Sequence, residues 1–325
     1  MPSRQSATLT GLVAILLWSS SVGLMRSVSE SFGPTGGAAL IYTCASVVLL
    51  LTLGPTRLST LPRRYLWVGG GLFVAYELCL SLSLGYASSR RQAIEVGMCN
   101  YLWPTLTMTA AILFNGQRSN ALIVPGFALG VLGVCQVLGG DQGLDFGQML
   151  LNVRSNPLSY GLALLGALLW AAYCTVTPRL AQGSNGVTLF FMASAAVLWL
   201  KFGLGEQPPM QVSPKALGWL GLSSCAMALG YSAWNVGILR GNVTVLAGAS
   251  QFIPVMSAAL AAVVLQAPLS WSFWQGACMV CAGSLLCWLA TRGGRRVNPP
   301  SASHPPPSHP PLPPAPVPRR SDSDG

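Results

Sequence analysis

Long apolar runs separated by short polar or turn-forming stretches set the pattern of this chain almost to its end. The runs fall near 7–25, 36–53, 65–87, 92–114, 121–139, 158–180, 187–204, 216–238, 243–266 and 271–291. Each is close to the roughly 17–25 residues a helix needs to cross a hydrocarbon core. The breaks between them carry turn chemistry, as at Gly54-Pro55, Asn115-Gly116, Gly139-Gly140 and Ala267-Pro268. This pattern predicts an all-α membrane protein of ten transmembrane helices. Arg4 precedes the first run, which is long enough to span and lacks an Ala-x-Ala site, so it reads as a helix and not as a cleavable leader.

The second half of the pattern resembles the first at an offset near 150. Gly-Ala-Leu-Leu-Trp ending at Trp170 matches Ala-Ile-Leu-Leu-Trp ending at Trp18, and Pro104, Gly126 and Gly133 match Pro254, Gly276 and Gly283. Each half holds an odd number of spans, so the second enters the membrane from the opposite side and the repeat is inverted. The predicted organisation is a first five-helix repeat over 1–140, a connecting loop over 141–157, a second repeat over 158–292 and a disordered tail over 293–325. Prolines crowd that tail, so it neither continues a helix nor buries a core. An inverted repeat suits alternating access to one central site, and so points to a transporter.

Composition supports the lipid reading: charged residues make up 8% of the chain and apolar ones 52%. A soluble fold carries about 25% charged residues. If the N-terminus is inside, twelve of the 18 basic residues fall on that side, which places both termini in the cytoplasm. The formal charge of +10 is then a topology signal, and no nucleic-acid partner is implied. Both histidines, His304 and His309, lie in the tail, so no metal site or other cofactor is expected. The spans contain no histidine or aspartate, which argues against an intramembrane enzyme. Nine cysteines lie in or beside apolar stretches and read as free thiols, Cys278-x-x-Cys281 included.

Candidate chemistry sits in a few places. Pro104 and Pro254 each lie inside a predicted span, and removing their N–H groups frees the carbonyls of Asn100 and Ser250. In lipid a bare carbonyl must face protein or a wet cavity, where it can accept a hydrogen bond from a substrate ammonium. The alternative is an ordinary kink whose carbonyl is satisfied by a hydroxyl such as that of Thr105. Deep aromatic residues, among them Tyr76, Tyr101, Trp103, Trp170, Tyr173 and Trp234 with Asn235 beside it, favour an interior position because buried O–H and N–H groups need partners. Tyr101 and Trp103 point to roughly opposite sides of a regular helix, so both face one cavity only where that helix is distorted. Glu95 lies one turn from Arg91 and reads as a local pair. Glu77 sits mid-span without a cation within a turn. It is a candidate to carry a proton, to balance a substrate cation, or to hold a structural hydrogen bond.

The stretches Ala93-Ile-Glu-Val-Gly-Met, Asn100-Tyr-Leu-Trp-Pro, Leu113-Phe-Asn-Gly-Gln, Trp170-Ala-Ala-Tyr-Cys, Ala233-Trp-Asn-Val-Gly and Cys287-Trp-Leu-Ala-Thr-Arg292 carry a resemblance. It covers nearly all of Ala7 to Arg292. The chain resembles the bacterial aromatic amino acid exporters of the drug/metabolite transporter superfamily, which carry paired EamA-type repeats. The resemblance implies a multi-pass inner-membrane exporter of phenylalanine, tyrosine and tryptophan, with other neutral amino acids, working by alternating access. It implies a central cavity walled by both repeats, to which Asn100, Tyr101, Trp103 and Trp170 contribute. The competing reading is a broader efflux protein for lipophilic cations such as methyl viologen, using the same aromatic faces with Glu77 as counter-ion. Both a proton antiporter and a passive uniporter fit. The expected partners are the small-molecule substrate and membrane lipid.

Overall fold

The computed structural model describes residues 3–292, and every regular element among them is helical. The proline-rich segment and both histidines lie outside the described residues. Helix α1 (Arg4–Ser19) starts on Ser3, whose hydroxyl caps Ser6 N–H at 3.2 Å. It bends by 41° into α2 (Ser21–Phe32). The hydroxyls of Ser19 and Ser20 bond back to the carbonyls of Ile15 and Leu17 at the bend, a contact that competes with the helical ladder. The first helical stretch thus runs past the predicted end at 25, to Gly33, whose φ of 74° stops it before Pro34 opens α3 (Pro34–Thr52). A π-helical turn, Tyr65–Gly69, leads into α4 (Gly70–Gly85).

The run expected as one helix over 92–114 is two. Helix α5 (Arg90–Asn100) ends, Tyr101 and Leu102 form a turn, and α6 (Trp103–Asn115) begins with Pro104 in its first turn. Proline has no N–H to give, and in a first turn none is required of it, so it starts a helix here where the sequence suggested an interior kink. The same happens in the second half. There α12 (Val243–Ala249), a tight turn at Ser250–Phe252 and α13 (Ile253–Leu265) stand in line, with Pro254 in the first turn of α13. Between α7 (Ile123–Leu138) and α9 (Pro157–Leu180), where the sequence suggested only a loop, lies a surface helix, α8 (Phe146–Ser155). Asp145 caps it at 3.0 Å and Arg154 sits in its last turn, each at the end where its charge suits the helix dipole. Helices α10 (Val187–Leu204), α11 (Pro214–Arg240) and α14 (Trp271–Arg292) complete the set.

Six of the described helical stretches are each long and apolar enough to cross a membrane, and the bent α1–α2 pair makes seven. Of the three remaining predicted spans, α5–α6 is interrupted and carries Arg90, Arg91 and Glu95, α7 has 16 residues, and α11, 27 residues long, is not among those stretches. The principal contacts join the two halves: α1 packs on α11, α4 on α9, α3 on α10 and α7 on α14. The α7–α14 seam is held by glycine. A Cβ on Gly133 would stand 2.7 Å from the Gly276 carbonyl oxygen, and one on Gly126 would stand 2.8 Å from Cys287 Sγ. Such seams let backbones approach closely in lipid, where helix association rests on contact and not on water exclusion.

Candidate functional site

Where the α1–α2 bend, α4, the α5–α6 break, α9 and α11 converge, the structure encloses a cavity of about 230 Å³. That is below the roughly 300–1,000 Å³ usual for drug-sized ligands, so the space suits a small molecule. Two aromatic walls face into it. On one, Trp18 of α1 packs against Tyr231 and Trp234 of α11, with ring centroids 5.2 Å apart in both pairs. On the other, Trp170 of α9 lies 4.5 Å from Tyr76 and 6.3 Å from Trp103, the latter edge-on at 90°. The break in α5–α6 brings both Tyr101 and Trp103 to the lining. A regular helix would have turned one of them away.

Among the described residues Glu77 is the only acidic one in the lining, and it is 1% exposed. Its Oε2 accepts a hydrogen bond from the Tyr42 hydroxyl at 2.6 Å, and its Oε1 accepts one from the Tyr231 hydroxyl at 2.9 Å. Tyr42 comes from α3 and Tyr231 from α11, so the carboxylate ties three helices together. No ion pair among the described residues involves it, and no Lys, Arg or His lines the cavity. Asn100, 3% exposed, donates from Nδ2 to the Ala163 carbonyl at 3.2 Å, which fixes the end of α5 against α9. Gly166 makes room for it, since a Cβ there would lie 2.9 Å from Asn100 Nδ2.

Of the residues singled out in the sequence, Tyr76, Glu77, Asn100, Tyr101, Trp103, Trp170 and Trp234 line this cavity. Tyr173 does not. It stacks behind Trp170 at 5.0 Å and 22°, with its hydroxyl 3.3 Å from that of Tyr65. Asn235 is half-buried on α11 outside the lining, turned away from the neighbouring Trp234 by about 100° of helix rotation. Pro104 and Pro254 set the two breaks from just outside the wall. Asn100 lines the cavity and Ser250 does not, although Ile253 of the second break does. The paired carbonyls therefore do not share one cavity. The Thr105 hydroxyl makes no hydrogen bond to the Asn100 carbonyl.

Trp18, Tyr231 and Tyr42 complete the site beyond the candidates drawn from the sequence. Trp18 carried a signal, its match to Trp170 at the repeat offset. Tyr231 carried a weaker one, its helical spacing to Trp234. Tyr42 carried none, because its role exists only once α3 lies beside α4.

A second polar region lies toward the N-terminus of α5. Arg90 grips Glu30 with two bonds, at 3.0 and 2.8 Å, and reaches the last carbonyl of α13, that of Leu265, at 3.1 Å. Arg26 donates to the Ala87 carbonyl at 2.7 Å. Arg91 bridges Glu95, at 3.2 Å, and Asp141, at 2.5 Å, while Tyr160 donates to Glu95 at 3.0 Å. The hydrogen bond and charge of Arg91 hold the Asp141 carboxyl below its ordinary value. Among the described residues no group of His, Cys, Asp and Glu could hold a metal ion, and the cysteines are free thiols.

Comparison with known proteins places this architecture. The EamA-like transporter family matches residues 157–289. The aromatic amino acid exporter YddG of Escherichia coli (strain K12) is 58% identical over 294 residues, covering 90% of this chain and 100% of that protein. The YddG of Ancylobacter novellus is 30% identical over 297 residues, covering 89% of this chain and 99% of its own. A solved crystal structure superposes with a TM-score of 0.62 at 26% identity, covering 90% of this chain and 99% of the other. Similar to these proteins along nearly their whole length, this multi-pass membrane chain belongs, with the YddG proteins, to the EamA-like transporter family.

Proposed function

We propose that this protein exports aromatic and related neutral amino acids across the bacterial inner membrane, by alternating access to the cavity around Glu77. The chain then spans the membrane ten times, as two inverted five-helix repeats over 1–140 and 158–292 joined through 141–157, with both termini cytoplasmic. The α1–α11 and α4–α9 contacts support this reading, because an inverted repeat exchanges one for the other. The bent α1–α2 and the interrupted α5–α6 count as single spans in this scheme. So does α12–α13.

In the proposed pose the substrate ring lies between the Trp18 wall and the Trp170–Tyr76 wall, where edge-to-face and offset contacts favour an aromatic over an aliphatic side chain. Its ammonium turns to Glu77. The observation that carries the reading is the pairing of these walls with a buried carboxylate whose partners are tyrosine hydroxyls alone. Two neutral donors leave its charge uncompensated, and an ammonium group compensates it. Asn100 and Tyr101, at the open end of α5, border the head group. The same features would accept a flat lipophilic cation such as methyl viologen, and competition between tryptophan and methyl viologen separates an overlapping site from a separate one. The direct test is counterflow of labelled phenylalanine in proteoliposomes, with and without a pH gradient. Saturable flux of aromatic amino acids is expected, and absence of flux for all of them defeats the proposal.

A further inference from the structure

On the far side of α9 from the cavity lies a second hollow, of about 660 Å³, that the proposed transport cycle does not use. Leu106, Ala110 and Leu113 of α6 form one side, and Leu168, Ala172 and Val176 of α9 form the other. Each set recurs at three- and four-residue spacing, so each is one continuous helix face. Trp170 and Cys174, which line the cavity, lie two residues from Ala172 and hence about 200° round α9. The two hollows are therefore back to back. One end of the groove is closed by Asn115, whose Nδ2 donates to the Thr175 carbonyl at 2.9 Å. At this end also stands Arg179, exposed, with Nη2 on the Phe114 carbonyl at 3.1 Å.

An arginine carries five N–H donors, and among the described residues Arg179 has no carboxylate partner. A long apolar groove ending at an unpaired cation has the chemistry of one occupant, a lipid with an anionic head. We infer that the α6–α9 groove holds an acyl chain of an anionic glycerophospholipid, with its phosphate on Arg179. Because α6 begins at Trp103 and α9 carries Trp170, the bound chain would brace the Trp170 wall of the substrate cavity from behind. This would make anionic lipid a ligand of the transporter and not only its solvent. The inference does not depend on which substrate the cavity takes.

Native mass spectrometry of the full chain, titrated with phosphatidylglycerol or phosphatidylethanolamine of identical acyl chains, tests it. Wild type should retain phosphatidylglycerol about fivefold better, the scale of one arginine at an anionic surface. Arg179→Gln should lose that preference and Arg179→Lys should keep it. Ala172→Phe, which fills the groove without touching the charge, should reduce retention of both lipids, with the thermal midpoint reporting that each variant folds. Equal retention of the two lipids by wild type overturns the inference. So does a preference that survives Arg179→Gln, or a dimer that Ala172→Phe dissociates, since the groove would then belong to a second copy of the chain.

Discussion

Glu77 and Glu95 are both buried carboxylates on neighbouring helices, and their surroundings differ in one respect. Glu95 has a cation, Arg91, at 3.2 Å, with Tyr160 at 3.0 Å on its other oxygen. Glu77 has two tyrosine hydroxyls and, among the described residues, no cation. A carboxylate beside an arginine, even one shared with Asp141, has its charge offset, and removing either partner is a matter of stability. A carboxylate held only by neutral donors is structurally anchored but electrically open. The region around Glu95 therefore reads as a fastening between α5, α9 and the turn at Asp141, and the region around Glu77 as a place where a charge arrives and leaves.

Substitutions at the two sites separate these roles. Glu77→Gln should have the largest effect. It preserves shape and one tyrosine bond but offers no charge, and losing a charged hydrogen bond worth about 1.5–3 kcal/mol lowers apparent affinity for amino acids by about 10- to 100-fold. Transport assays with the folded variant check this, and unchanged flux at every pH would remove Glu77 from the mechanism. Next come the aromatic walls. Trp170→Ala or Trp18→Ala should each raise KM for phenylalanine by about 3- to 10-fold, from ring contacts worth about 0.5–1.5 kcal/mol, with Phe in place of Trp recovering much of the loss. Substituting Tyr173, which stacks behind Trp170, should cost less than Trp170→Ala in the same assay.

Glu95→Gln should act on stability instead. It keeps the Tyr160 contact but breaks the pair with Arg91, for a loss of about 1 kcal/mol read as a lower thermal midpoint, with KM little changed. A KM effect as large as that of Glu77→Gln would erase the distinction between the two sites. The smallest effect belongs to Asp141→Asn, at the exposed end of the same cluster. Its carboxyl titrates below its ordinary value because Arg91 favours the charged form. Its contribution is thus complete at neutral pH and is lost only as the pH falls through that lowered value. Thermal midpoints of wild type and Asp141→Asn should therefore coincide in acid and differ slightly at neutral pH.

Much of this was legible in the chain, for reasons that differ by feature. Helical stretches could be read because lipid demands length and apolarity of every span, and the glycines of α7 and α14 could be matched because backbone contact admits nothing larger. Trp170, Tyr76 and Trp103 could be proposed because deep Tyr and Trp need polar company. The break at Tyr101–Leu102 reads as a kink in the sequence, since Pro104 looks the same inside a helix or at its start. Helix α8 is hard to read in the chain because 141–157 is too short and polar for a span, and Asp145 is the cap that marks its start. Tyr42 could not be found at all, since what identifies it is a hydroxyl 2.6 Å from a residue on another helix. Helical spacing puts Tyr173 on the face of Trp170 and Asn235 on that of Tyr231, but it fixes a face to no better than the width of a side chain.

In the proposed mechanism Glu77 receives the ammonium of an aromatic substrate held between the two walls. Inhibition of labelled phenylalanine counterflow by phenylethylamine, which keeps the ammonium, and by phenylpropionate, which keeps only the carboxylate, tests it most directly in wild type and Glu77→Gln. Phenylethylamine should compete in wild type and lose that ability in Glu77→Gln, while phenylpropionate should compete weakly in both. Equal competition by the two analogues in wild type, or phenylethylamine competition untouched by Glu77→Gln, would contradict it.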